Sequence, residues 1–323
     1  MSLNCDSQKG YDIIGDIHGH ADELAQLLDK LGYNLDGDVY IHSSRQVIFL
    51  GDFIDKGPNQ KEVLKIVMPM VKHGSALAVM GNHEFNALAF HTPHPHKPGQ
   101  WLRERKDNNI KQHIAFLQEF LGKEDPADPY SLPNVIAFFK TLPIWLETDQ
   151  LRVVHACWSE EYIAKLKPLL AEDHTLDDTF LLEATTKGTL PYEGIETLLK
   201  GVEYKLSKDL AITDNYGKER REVRIKWWLN QGDTVENVAL SIGGSGLADN
   251  VKNHHVPTEA FPGYAENQKP LFIGHYWLTV PPKRLAHNVA CLDYSVANNG
   301  HLVAYRWDGE QQLTDAKFLS ASY

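Results

Sequence analysis

The sequence predicts an α/β fold assembled from strand–helix–strand units, and three observations predict it. Short apolar runs rich in Val, Ile, Leu and Phe recur: YDIIGD (11–16), QVIFLGD (46–52), ALAVMGN (76–82), LRVVHA (151–156) and LFIGH (271–275). Each is too short for a helix and is closed by a small or polar residue, as a strand buried on both faces would be. Amphipathic helical patterns lie between the first three runs, which makes the connections crossovers and the strands parallel.

Taken in order, the opening MSLNCDSQKG reads as a loose tail ahead of the first run. ADELAQLLDKLG then places Leu24, Leu27, Leu28 and Leu31 at helical spacing and stops at Gly32. NQKEVLKIVMPMVKHG does the same with Val63, Leu64, Val67 and Val71 and stops at Gly74, with Pro69 expected to kink its last turn. Residues 85–122 read as mostly helical, broken at HTPHPHKPGQ (91–100), where prolines forbid a continuous helix. Its His91, His94 and His96 read as imidazoles of a surface loop rather than an extra metal site. Residues 158–265 alternate helical stretches with polar loops. Regions of about 85–140 and 158–265 are therefore read as insertions on the rim of a single domain spanning 10–323. From residue 286, AHNVACLDYS, a turn at NNG and HLVAYRWDG predict a β-hairpin.

Bulk properties narrow the function. The chain has 323 residues, 42% hydrophobic and 23% charged, as a soluble globular protein does. A net charge of −11 argues against a bulk electrostatic grip on nucleic acid. Cys5, Cys157 and Cys291 show no paired spacing, so no disulfide framework is expected and a reducing cytoplasm is the default location. Cys157 reads as a small buried thiol at a strand end. No apolar run is long enough to span a bilayer and no leader pattern opens the chain, so no membrane association is expected.

The residues that end the runs carry the chemistry. The first ends in Asp16 with His18 close behind (GDIHGH), the second in Asp52 (GDFIDKGP), the third in Asn82 and His83 (GNHE), the fourth in His155 (VVHAC) and the fifth in His275 (IGHYW). In a parallel sheet these ends converge on one edge, where ligands bind in open α/β folds. Singly, each has a bland reading as a turn or a satisfied core histidine. Jointly they form a mixed oxygen and nitrogen set suited to two transition ions sharing a carboxylate, about 3.5–4 Å apart, that activate a water for in-line attack at phosphorus.

In this order GDIHGH, GDFIDKGP, GNHE, VHAC and GH resemble the calcineurin-like metallophosphoesterases. The likeness is greatest to the phosphoprotein phosphatase branch and its bacterial relatives, which include symmetric dinucleoside tetraphosphatases. The resemblance covers the core strands and the CLDYS segment, and implies a sandwich of two mixed sheets flanked by helices, with helical insertions over the active-site edge. It implies that Asp16 and His18 hold one metal, that Asp52 bridges, and that Asn82, His155 and His275 hold the other. His83 would be the general acid, oriented by Asp55. The two divalent ions are expected to be manganese, with Fe, Zn, Co or Ni tolerated by the same ligands.

Two departures bear on substrate. Trp277 stands where nuclease-like members carry a second histidine, which favours phosphatases. Lys56 stands where eukaryotic protein phosphatases carry arginine, and a lysine lacks the bidentate fork. Another cation should compensate, and GKERREVRIKWW (217–228) offers Arg224 first and Arg220 second. The expected function is metal-dependent hydrolysis of phosphomonoesters by direct attack of an activated water, with phosphoserine or phosphothreonine on protein among the substrates. A dinucleoside polyphosphate (Ap4A-type) hydrolase is the alternative enzyme. A non-catalytic metal-binding scaffold is the reading from another class, and it would show lost ligands or a lost acid, which this sequence does not.

Overall fold

The computed structural model describes residues 10–122, 125, 127–213, 219–240 and 248–321. The N-terminal tail with Cys5, and Gly217 and Lys218 of the basic stretch, lie outside them. The chain begins with β1 (Gly10–Ile14), α1 (Ala21–Leu31), a ribbon of β2 (Asn34–Asp36) and β3 (Val39–Ile41), β4 (Arg45–Phe49), α2 (Gln60–His73) and β5 (Ala76–Ala78). Helices α3 (Asn82–His91), α4 (Asp107–Phe120) and α5 (Leu132–Lys140) follow, then β6 (Trp145–Glu147) and β7 (Arg152–Val154). Next come α6 (Glu160–Leu166), α7 (Asp178–Ala184) and α8 (Leu190–Lys200). Short ribbons succeed them: β8 (Glu203–Lys205), β9 (Ile212–Thr213), β10 (Glu219–Arg220), β11 (Glu222–Arg224) and β12 (Asp233–Thr234), with small helices α9 (Val235–Val238) and α10 (Asp249–Lys252) before β13 (His255–Val256). The chain closes with β14 (Leu271–Ile273), β15 (Val289–Cys291), β16 (Asp293–Tyr294), β17 (His301–Trp307) and β18 (Phe318–Ser320).

Two sheets form the body. One runs β16-β17-β1-β4-β5, with β18 added on β17; β1, β4 and β5 are parallel. The other runs β15-β14-β7-β6, with the first three parallel. Strand periodicity explains the uninterrupted apolar runs, because alternate side chains serve different layers. Ile13 and Ile48 meet Val153 and Phe272 between the sheets. Ile14, Val47 and Phe49 face the opposite way, toward Leu24 and Leu28 of α1 and Val63 and Leu64 of α2. Both helices stop where the sequence places a glycine: Gly32 and Gly74 take φ of 89° and 83°, which a side chain would resist. Helix α2 continues past Pro69 to His73.

The two mixed sheets are those the family resemblance implies, while three features differ from what the strand pattern alone predicts. The five strand ends do converge, but from two sheets: Asp16, Asp52 and Asn82 follow strands of one, His155 and His275 strands of the other. The run expected to open a hairpin is split: Val289–Cys291 joins the second sheet beside β14, and only Asp293–Tyr294 pairs with β17. Third, part of the second insertion builds short two-stranded ribbons around a small core of its own, with Leu206, Val223, Ile225 and Val238. Strands of two or three residues give too little alternation for sequence periodicity to reveal. Cys157 and Cys291 are both buried and free. Among the described residues no helix is long and apolar enough to cross a membrane.

Candidate metal centre

The loops after β1, β4, β5, β7 and β14 meet at the sheet edge, and their backbone is tightly wound. His18, Asp52, Asp55, Lys56, His275 and Trp277 all adopt positive φ between 47° and 73°. Non-glycine residues accept that region only at a cost of about 1–3 kcal/mol each, so the surrounding contacts must hold them there. Two glycines make room for the carboxylates. A Cβ on Gly81 would stand 2.2 Å from Asp52 Oδ1, and one on Gly274 would stand 2.1 Å from Asp16 Oδ1.

Asp52 is the hub. Its donor atoms lie within 4.8 Å of those of His18 and His83 in one trio, and of His155 and His275 in another. Asp52 Oδ2 is 3.5 Å from His18 Nε2, 3.4 Å from His155 Nε2 and 3.9 Å from His83 Nε2. Each ring is turned by its other nitrogen. His18 Nδ1 donates to the Ile54 carbonyl at 2.8 Å and His155 Nδ1 to the Leu50 carbonyl at 2.7 Å, which leaves both Nε2 atoms aimed at the cluster. Asn82 Oδ1 sits 2.8 Å from His275 Nδ1 and 3.2 Å from His155 Nε2. Asp16 belongs to neither trio; its oxygens accept the His275 N–H at 3.2 and 3.1 Å.

The electrostatics are those of a site short of positive charge. Burial, and then Asp293, push the Asp16 carboxyl well above its usual range. Burial works on Asp52 in the same direction, yet the surrounding His155, His83 and His18 hold it well below. Burial drives His18 down to about 3, whereas His155 is carried up to about 10 because Asp52 and Asp16 outweigh its burial. The Nε2 atoms of His18 and His275 are buried and have no hydrogen-bond partner. Buried imidazole nitrogens left unpaired beside buried carboxylates are costly unless a cation completes them. The donor set therefore fits divalent ions.

His83 and Asp55 form a pair: His83 Nδ1 lies 2.5 Å from Asp55 Oδ2. Sequence reading missed what stands behind them. His113 of α4 donates from Nδ1 to the other oxygen, Asp55 Oδ1, at 2.8 Å, and its Nε2 is 3.2 Å from His91 Nε2. These two hydrogen bonds, from His113 and then His83, overcome burial and keep Asp55 down at about 2. Glu84 was missed too. Fully buried, it accepts the backbone N–H groups of Asp52, Phe53 and Gly81 at 2.7, 2.9 and 3.1 Å and so fixes the loop that presents Asp52. Glutamate at the third position of a helix is a capping signal for Gly81, but nothing in the sequence links it to residues 52 and 53.

A cavity of about 650 Å³ opens over the cluster, lined by Asp52, Asn82, His83 and His275 together with Lys56, Arg103, Arg224 and Trp277. Lys56 Nζ rests 3.6 Å from the Trp277 ring centroid, and Trp277 is 42% exposed. Arg224 lies 3.6 Å from Glu203. Arg220 is exposed on β10 and is not among the lining residues. His91 is drawn into the Asp55–His113 chain, while His94 and His96 stay in the proline-rich loop.

Residues 11–160 match the profile described as calcineurin-like phosphoesterase. An asymmetrical bis(5'-nucleosyl)-tetraphosphatase PrpE of Oceanobacillus iheyensis is 48% identical over 119 residues, 33% of this chain and 48% of that protein. The protein of the same name from Bacillus subtilis is 43% identical over 74 residues, 23% of this chain and 30% of that one. The chain thus spans half or less of the length of these curated relatives. A solved protein serine/threonine phosphatase from Saccharomyces cerevisiae superposes with a TM-score of 0.49 at 14% identity, covering 98% of this chain and 80% of that chain.

Proposed function

We propose, from the match of residues 11–160 to the calcineurin-like phosphoesterases, that the chain is a metallophosphoesterase that hydrolyses phosphoric esters and anhydrides at a dinuclear metal centre, with dinucleoside tetraphosphates as substrates. The observation that carries the metal centre is the place of Asp52 in both donor trios. Asp16, His18 and Asp52 would hold one ion, and Asp52, Asn82, His155 and His275 the other. When bound, two such ions would supply Lewis-acid polarisation of the phosphoryl oxygens and would make water a competent nucleophile at neutral pH.

The protein's own groups do the rest. Lys56 and Arg224 line the cavity and would take phosphoryl oxygens. Asp55 fixes the His83 ring, and Asp52 and then Asp55 outweigh burial to favour its protonated form, so His83 Nε2 can hand a proton to the departing oxygen as the bond to phosphorus breaks. Arg224 offers a planar guanidinium that can take two phosphoryl oxygens at once, which makes it a firmer grip than the single ammonium of Lys56.

The sequence reading ranked phosphomonoesters first. The identity to proteins named tetraphosphatases supports the nucleotide reading better, and the exposed Trp277 at the cavity gives a base a surface to stack on. Asymmetric cleavage of a four-phosphate bridge yields a nucleoside triphosphate and a monophosphate. The test is a metal-reloaded preparation offered diadenosine tetraphosphate, nitrophenyl phosphate and a phosphoserine peptide, with products separated by chromatography. ATP and AMP from the dinucleotide are expected at the highest kcat/KM. Hydrolysis of the peptide with no turnover of the dinucleotide would return the protein to the phosphomonoesterases.

A further inference from the structure

Arg103 makes no ion pair among the described residues, and the nearest carboxylate charges acting on it, Asp55 and Glu196, stand beyond contact. It follows α3 in the first insertion, half-buried at the cavity wall. Its two side-chain hydrogen bonds both leave from Nη2, to Asn109 Oδ1 at 3.1 Å and Gln112 Oε1 at 2.7 Å. Among the described residues no carboxylate pairs with it, and Nε and Nη1 have no partner. Neutral amide oxygens hold the guanidinium in place without neutralising it. A guanidinium withdrawn from water and left unpaired is a cost unless an anion visits.

The neighbourhood points the same way. The chain carries a net charge of −11, yet Lys56, Arg103, Lys111, Lys200 and Arg224 all line one cavity. Such a cleft concentrates anions against the sign of the whole molecule. Its volume of about 650 Å³ is that of a pocket for a drug-sized ligand, much more than one tetrahedral anion fills. Lys200 already pairs with Glu196 and Arg224 faces Glu203, whereas Lys56, Lys111 and Arg103 make no ion pair among the described residues; of these three only Arg103 presents a fork, and neutral amide oxygens hold it in place.

We propose that Arg103 anchors a second anion subsite, which holds a phosphoryl group of the substrate other than the one attacked. The ligand class is a linear polyphosphate ester carrying two or more phosphoryl groups. Asn109 and Gln112 of α4 aim the fork, and the reacting phosphoryl stays with the metal-ligand cluster. This rests on the nucleotide reading above but is tested by binding, so the two can fail separately.

The experiment compares inorganic tripolyphosphate with orthophosphate by titration calorimetry on the metal-loaded protein, free manganese held constant and metal content checked. Wild-type protein should bind tripolyphosphate at least about tenfold more tightly than orthophosphate. Arg103→Gln should lose about tenfold to hundredfold for tripolyphosphate, the loss of a charged hydrogen-bonded contact, with orthophosphate unchanged within a factor of two. Arg103→Lys, which keeps the charge without the fork, should fall between them and guards against a folding defect in the first variant. Equal losses for both anions would place Arg103 on the reacting phosphoryl, and no loss for either would make it structural; either result overturns the subsite. So would wild-type protein that does not distinguish the two anions. Absence of dinucleotide hydrolysis alongside the expected binding pattern would overturn the proposed activity and leave the subsite standing.

Discussion

Replacing His113 with phenylalanine should disable the acid without touching it. His113 is 4% exposed, stacks on Phe116 with ring centroids 4.6 Å apart, and spends its Nδ1–H on Asp55 Oδ1. Phenylalanine preserves the stack and removes the donor, leaving Asp55 held on one side by His83 alone. A hydrogen bond to a charged group contributes about 1.5–3 kcal/mol. If all of that is needed to keep Asp55 and His83 aligned in the transition state, kcat falls by about 10- to 150-fold. That is an upper bound, and it reaches only the lower end of the range of about 10²–10⁴ expected for removing the acid itself with His83→Ala. The assay is kcat on an alkyl phosphate and on nitrophenyl phosphate, whose good leaving group needs little proton donation. The loss should be larger for the alkyl ester, KM should be nearly unchanged, and His113→Phe should add almost nothing in a His83→Ala background, because the groups act as a unit. Equal losses with both leaving groups, or an undiminished effect in the double variant, would mean that His113 supports the fold and not the acid.

Two other outcomes follow from the same geometry. Arg224→Ala should weaken inhibition by free phosphate by about tenfold to a hundredfold, the loss of a charge-assisted contact, and unchanged inhibition would leave the grip to Lys56. His91 is held down to about 4 by burial, by His113 and by Arg105, with Asp55 pulling weakly the other way. From its ordinary 6.5 down to about 4 the unfolded chain binds a proton that the folded chain refuses. The stability contributed by neutral His91 is therefore complete above 6.5 and drains as pH falls toward 4. Urea melts should show His91→Gln losing less stability than wild type between pH 7 and 5, and parallel losses would remove His91 from the account.

The sequence was most legible where a residue ends a strand. Asp16, Asp52, Asn82, His155 and His275 each close an apolar run, and a buried strand leaves little freedom in where its last residue points. The two-sheet arrangement was not in the runs themselves, since a strand buried on both faces reads alike in either sheet. Val289–Tyr294 shows the same limit: one apolar run changes sheets at Leu292, and periodicity has no mark for that. Arg103 and His113 were invisible for another reason. They sit in helical or irregular insertions, and what brings them to Asp55 and the cavity is the packing of α4 against the body. Glu84 lay in plain view within GNHE, but two of its three backbone partners are more than thirty residues away.

Metal stoichiometry by elemental analysis tests most directly the proposal that Asp52 would join two metal ions. Metal-stripped protein reloaded with manganese and freed of excess should carry two ions per chain. Asp52→Asn, which keeps the shape and halves the charged oxygens at the hub, should lose at least one ion and nearly all activity while its circular dichroism stays that of the folded protein. One ion per chain in fully active wild-type protein, or two retained in Asp52→Asn, would contradict it.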